Sequence, residues 1–160
     1  MQLRLIEQQD NAAMAAVIRT VSAEYGLGAD KGFAVGDSVL DDLHAVYSQA
    51  QAAYWVVVDD NQQIVGGGGV APLRGDDSIL EIQKMYFLPQ TRGQGLAKQI
   101  VQHCFELGRA IGKTQFYLET TANLQAAIAL YECMGFEYVN EPLGNTGHSA
   151  ACEIYMLKTL

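Results

Sequence analysis

Between Ile79 and Ile111 the sequence leaves little conformational choice. Ile79 to Leu88 is the longest strand candidate in the chain, and Pro89, with no N–H to give to a ladder, ends it. Gln90 to Gly95 is dense in turn residues. From Leu96 the apolar positions Leu96, Ile100, Cys104, Leu107 and Ile111 fall on one helical face, so a long amphipathic helix starts inside that turn. Its first N–H groups have no intrahelical partner and lie at the positive end of the helix dipole, while Gly93 and Gly95 let an anion approach the backbone. Arg92 and Lys98 add positive charge beside them. The set points to phosphate binding; the competing reading is that the two glycines only shape a tight strand-to-helix connection.

The rest of the chain extends the same alternation. Leu3, Leu5 and Ile6 open a strand, and Asp10 is placed to cap a helix carrying Met14, Val17, Ile18, Val21 and Tyr25 at helical spacing. Ser38 to Asp41 reads as a capping pair before a short helix with Leu43, Val46 and Tyr47. Tyr54 to Val58 and the segment from Ile64 through Gly66–Gly69 read as a hairpin about Asp59-Asp60-Asn61, and Pro72 to Asp77 as a polar connection. Phe116 to Glu119 is a brief strand, Asn123 opens a helix with Leu124, Ile128 and Tyr131 on one stripe, and Gly135 stops it. Phe136 to Val139 and Cys152 to Leu157 are closing strands. At 160 residues with no linker or repeat, this is one mixed α/β domain spanning 1–160.

A net charge of -8 removes the broad positive field on which non-specific nucleic-acid binding depends, so nucleic acid is not an expected partner. Three well-separated cysteines, Cys104, Cys133 and Cys152, cannot all pair within the chain and read as reduced thiols. Met1 to Asp10 lacks the apolar core of a secretory leader, and no window approaches the roughly 20 apolar residues of a membrane span. The expectation is a cytoplasmic protein with no membrane association. His44 and His103 lack metal-ligand spacing, so no metal is expected.

Two nucleotide motifs fail on inspection. A P-loop needs Gly-Lys-Ser or Gly-Lys-Thr at the helix start, and the chain has neither. Gly66 to Ala71 satisfies Gly-x-Gly-x-x-Ala after a strand, but Pro72, Leu73, Arg74 and Gly75 follow in place of a helix, so the dinucleotide mechanism has no anion site. A close neighbour in the sheet is the better reason for those glycines.

Gln90-x-x-Gly93-x-Gly95, after a strand ending Phe87-Leu88-Pro89, resembles the acetyl-CoA signature of the GNAT N-acetyltransferases, and Asn123 to Phe136 is similar to that family's Asn…Ala…Leu-Tyr…Gly-Phe helix. The element order agrees along nearly the whole chain, and the motifs cover about a quarter of it. The resemblance implies a GNAT fold: a central mixed, mostly antiparallel sheet of six to seven strands flanked by about four helices. It also implies acetyl-CoA as cosubstrate, with its pyrophosphate on the turn formed by Arg92, Gly93, Gln94, Gly95, Leu96 and Ala97. Main-chain groups of Met85 and Phe87 would hold the pantetheine arm, and Asn123 would touch the same molecule.

In that family the tyrosine of the later helix protonates the departing thiolate, which makes Tyr131 the candidate acid. Amine attack on a thioester builds an oxyanion and expels a thiolate, so a hydrogen-bond donor and a proton source are both needed. The amine must also lose a proton. Glu81 is the candidate base, at even spacing from Met85 and Phe87 and hence expected on their face of the strand. Competing readings make Tyr131 a core aromatic and Glu81 a solvated strand residue or the partner of Lys84.

The implied reaction moves an acetyl group from acetyl-CoA to a primary amine of a small molecule or peptide by direct attack. The alternative is a non-catalytic acyl-CoA-binding sensor domain that keeps the turn and lacks the chemistry. The loop Pro142 to Ser149 is longer than a plain hairpin needs, and through Asn145 and His148 it is a candidate border of the acceptor pocket. The family often dimerises, so a homodimer is an open expectation; no apolar stripe assigns an interface.

Overall fold

The computed structural model describes residues 1–160, in which β-branched and aromatic runs become strands and the 3.6-residue stripes become helices. The strands are β1 (Gln2–Leu5), β2 (Ala53–Val58), β3 (Ile64–Leu73), β4 (Asp76–Phe87), β5 (Gln115–Thr120), β6 (Glu137–Val139) and β7 (Ile154–Thr159). Three longer helices are α1 (Asn11–Glu24), α3 (Leu96–Ala110) and α4 (Gln125–Cys133), and two short ones are α2 (Leu43–Tyr47) and α5 (Ser149–Cys152). One 7-stranded sheet runs in the order β1-β2-β3-β4-β5-β7-β6, antiparallel everywhere except between β4 and β5. No helix is long and apolar enough to cross a membrane.

Helices cover both faces. On one, Met14, Ile18, Leu43 and Tyr47 of α1 and α2 pack against Tyr54 and Val56; on the other, Ile100, Val101, Cys104 and Phe105 of α3 pack with Ile82, Phe116 and Tyr131. Burial of these apolar stripes is what holds the helices to the sheet. The glycines of β3 answer to side chains crossing them. A Cβ on Gly67 would lie 2.7 Å from the Trp55 carbonyl and 2.8 Å from the Tyr54 ring, and one on Gly68 would lie 2.0 Å from Met85 Sδ. A hairpin, not a helix, follows β3, so the dinucleotide motif is accidental.

Two irregularities of β4 create the functional region. It pairs with β5 only at Leu80↔Phe116 and Glu81↔Tyr117, and beyond that point the two strands separate. From Ile82 to Phe87, β4 therefore has no strand neighbour on that side. Against β3, Gln83 opposes Gly69 and Tyr86 opposes Gly67, so Lys84 and Met85 together face Gly68 in a β-bulge. Lys84 sits at φ +50, a conformation that side chains rarely adopt, fixed by Tyr54 Oη donating to its carbonyl at 2.8 Å. The extra residue reverses the alternation. Glu81, Gln83 and Tyr86 share one face while Ile82, Met85 and Phe87 share the other, correcting the expectation that Glu81 lies with Met85 and Phe87.

Other local expectations also shift. Asp10 precedes α1 but makes no side-chain cap; it receives Arg4 Nη1 at 2.6 Å, Arg4 Nη2 at 3.0 Å and the Glu7 N–H at 2.8 Å. A buried carboxylate is better satisfied by a guanidinium than by one helix amide. Pro72 to Asp77 is not a polar connection but strand, a tight Arg74-Gly75 turn and strand again. Cys152 ends α5 instead of opening the last strand.

Candidate active site

Where β4 parts from β5, two cavities open side by side. The smaller, 340 Å³, lies before the start of α3, with Met85, Phe87, Gly93, Gly95, Leu96 and Lys98 among its lining. Gly93 and Gly95 adopt φ +76 and +77, and an added Cβ on either would meet nothing within 4 Å. Glycine is needed here for its left-handed backbone, and the space in front of it is open. The backbone N–H groups of Gly93 through Lys98 donate to no acceptor within the protein, and α3 has no side-chain cap. A continuous run of free donors at the positive end of a helix, with apolar walls behind it, fits a pyrophosphate carrying a long thiol arm.

Three residues expected at this site behave differently. The Arg92 N–H donates to the Pro89 carbonyl at 3.2 Å, its Nε to the Phe87 carbonyl at 3.0 Å, and its two terminal nitrogens to Glu24 at 2.7 Å each. Arg92 is thus a brace between α1 and the glycine turn, with its backbone N–H taken up and only one N–H on each terminal nitrogen left over. Gln94 turns its side chain back to the Gln90 carbonyl at 2.8 Å, leaving only its backbone N–H for an anion. Asn123 precedes α4 by two residues and donates to the Tyr25 carbonyl at 3.4 Å; its neighbours Leu124 and Ala126 reach the cavity.

The larger cavity, 440 Å³, is lined by Glu81, Glu119 and Thr120 near the carboxyl end of the parallel strand pair, with Asp37, Lys84 and His148 opposite. Glu81 is 8% exposed. Burial pushes its carboxyl up to about 7, against the Gln83 Nε2 hydrogen bond at 2.6 Å and with the help of the Glu119 charge. Glu119 accepts from three hydroxyls, Tyr117 at 2.7 Å, Thr146 at 2.5 Å and Ser149 at 2.6 Å. Asp37 accepts Lys84 Nζ at 2.7 Å and stands 3.1 Å from His148 Nε2 as an ion pair. Asn145 is exposed and outside the cavity; its backbone N–H holds the loop to Arg74 at 2.6 Å. His148 is on the wall.

The cavities meet at Met85, Tyr86, Leu124, Ala127 and Tyr131. The Tyr131 ring is buried against Phe136, with centroids 5.8 Å apart; its hydroxyl has no hydrogen-bond partner in the protein, and the residue lines both spaces. Burial pushes its pKa up, so the phenol keeps its proton at neutral pH. Side by side, then, are a phosphate-sized amide cradle, an unpartnered phenol and a carboxyl group that titrates near neutrality. Asp37 and Glu119 were not read from the sequence. Glu119 carried one signal, its place at the carboxyl end of a parallel strand, where open sheets bind ligands.

The model of the acetyltransferase (GNAT) family matches residues 23–136, which hold α2, the whole β2 to β5 region, the glycine turn and Tyr131. This chain belongs to the GNAT family. A GNAT relative, the uncharacterized N-acetyltransferase YjgM of Escherichia coli (strain K12), is 55% identical over 159 residues, covering 99% of this chain and 94% of that one. A GNAT-family acetyltransferase from Staphylococcus aureus Mu50 has the same fold, with a TM-score of 0.85 at 16% identity over 99% of this chain and 98% of that one. A GNAT phosphinothricin acetyltransferase from Sinorhizobium meliloti, solved in complex with acetyl-CoA, matches with a TM-score of 0.71 at 17% identity over 99% of this chain and 88% of that one. At those identities the likeness is one of fold.

Proposed function

We propose that this GNAT protein moves an acetyl group from acetyl-CoA to a primary amine held in the larger cavity. One observation carries the reading: the free amides of Gly93–Lys98 and Glu81 border separate cavities that share Tyr131 as a lining residue. When bound, acetyl-CoA supplies the activated acetyl group. The amides of Gly93 to Lys98 bind its pyrophosphate, and the unpaired edge of β4 at Met85 and Phe87 orients the arm toward Tyr131. Tyr131 holds the proton that a leaving thiolate needs. Glu81, titrating near 7, accepts the proton that the amine must lose, and Glu119 beside it favours a cationic acceptor in the same cavity. A buried base costs stability and is kept where chemistry uses it, which weighs against the non-catalytic sensor.

The test is release of coenzyme A thiol from acetyl-CoA across a panel of polyamines, amino acids, amine-bearing drugs and basic peptides. An amine-dependent rate that falls in both Tyr131→Phe and Glu81→Gln is expected. Tight acetyl-CoA binding with no turnover on any amine would leave the sensor reading in its place.

A further inference from the structure

Two segments roof the larger cavity, and neither belongs to the sheet. One runs from Gly26 to Asp42 between α1 and α2, and contributes Phe33, Asp37 and Val39; the other runs from Asn140 to Glu153 between β6 and β7, and contributes Thr146, His148 and Cys152. They meet at the His148 side chain. His148 Nε2 lies 3.1 Å from Asp37 Oδ1, and His148 Nδ1 lies 3.1 Å from the Gly32 carbonyl oxygen. Beside this contact, a Cβ on Gly32 would sit 3.7 Å from that of Ala151, so the backbones are already close.

A neutral imidazole has one N–H and one bare nitrogen. Either tautomer would therefore point a lone pair at an oxygen, at Asp37 in one case and at Gly32 in the other. Only the imidazolium turns an N–H to the Gly32 carbonyl and a positive charge to the Asp37 carboxylate at once. The carboxylate that receives it is anchored in turn, because Asp37 Oδ2 takes Lys84 Nζ at 2.7 Å from the β4 bulge. Burial alone would raise the Asp37 pKa, but hydrogen bonds from His148 and Lys84 outweigh it and hold the group at about 2. Asp37 is thus ionised throughout the neutral range, and its hydrogen bond raises His148 above the ordinary histidine value. Lys84 opposes that rise, while Glu81, Glu119 and Arg74 are the remaining charged groups lining the cavity, with the Cys152 thiol on the same wall.

We infer that His148, as an imidazolium, is a clasp that closes both roof segments over the larger cavity, and that Asp37 is the positioning residue tying the clasp to β4. That the cavity takes the amine rests on the proposed function; the clasp does not. Because the closed form raises the His148 pKa, closure is fully favoured below the free-histidine value of about 6.5 and is lost as pH climbs through the higher value. Rising pH therefore opens the roof.

The experiment uses the full chain without ligand. Imidazole NMR resonances are followed against pH, with the His148 signals identified by their loss in His148→Gln, and hydrogen exchange is measured by mass spectrometry at about pH 6 and pH 8. Exchange is corrected for its intrinsic pH dependence. His148 is expected to titrate above 6.5, and protection in residues 26–38 and 140–153 should fall together, by about threefold to tenfold, between the two conditions. Protection within α3 should stay constant. His148→Gln should show the low protection at both pH values, and Asp37→Asn should bring the His148 midpoint down. A His148 that titrates at or below 6.5, or roof segments equally protected at both pH values in the parent, would overturn the clasp. Neither readout needs turnover, so failure to detect acetyl transfer leaves this test intact.

Discussion

Glu81→Gln should damage activity and improve stability together, each with its own pH dependence. The residue is 8% exposed, and burial raises its carboxyl from 4.5 to about 7 in the fold. Between those values the unfolded chain has lost the proton while the folded chain keeps it, so stability declines as pH rises and levels off above about 7. At 1.36 kcal/mol per pH unit, that gap sets a ceiling of about 3 kcal/mol on the cost of the ionised carboxylate. Glutamine has the same shape, its amide oxygen can accept the Gln83 Nε2 hydrogen bond, and it never ionises. The substitution should therefore be near neutral at about pH 4 and stabilise by up to about 3 kcal/mol at about pH 8, on the order of 6 to 12 °C in Tm. Over the same range the parent's amine-dependent rate should rise as Glu81 loses its proton. The variant should lack that rise, run about 10²-fold or more slower near pH 7, and recover only towards the amine's own pKa. Paired urea melts and pH–rate profiles read both effects. Equal stability changes at pH 4 and pH 8, or overlapping rate profiles, would refute Glu81 as a buried base.

Tyr131→Phe should lower kcat by about 10²-fold or more with acetyl-CoA affinity unchanged, measured by steady-state kinetics and calorimetry; a kcat within about twofold, with chemistry limiting, makes the ring packing only. Gly95→Val places a side chain in open ground at φ +77, and should cost about 1 kcal/mol of stability while weakening acetyl-CoA binding at least about tenfold. Asp10→Asn strands the Arg4 guanidinium and should destabilise by about 2 kcal/mol at neutral pH. Because Asp10 titrates below its ordinary value, chiefly through the Arg4 hydrogen bond, that penalty should fade as pH falls through the carboxylate range, as denaturation at about pH 3 and pH 7 would record.

What the sequence made legible was what depends on local rules. The 3.6-residue stripe of α3, the proline ending β4 and the left-handed glycines of the turn are each decided within a few residues, and all stand in the structure. Tyr131 and Glu81 became candidates because motif and strand carried them. The face that Glu81 occupies could not. It depends on a bulge at Lys84 and Met85, opposite glycines more than 15 positions away, and one extra residue reverses a period of two. The partner of Arg92 was likewise hidden, because Glu24 comes from a helix far earlier in the chain. Asp37, Lys84 and His148 come from three separate segments, so no local spacing announces their contact. The same is true of α5, a helix of 4 residues, too short to leave a periodic signal.

The most direct measurement is a crystal structure of this protein with coenzyme A and an unreactive amine. The pyrophosphate is expected on the backbone N–H groups of Gly93 to Lys98, the thiol within hydrogen-bond reach of the Tyr131 hydroxyl, and the amine beside Glu81. A pyrophosphate bound away from the start of α3, or a thiol that stops short of Tyr131, would contradict the assignment of the two cavities to donor and acceptor.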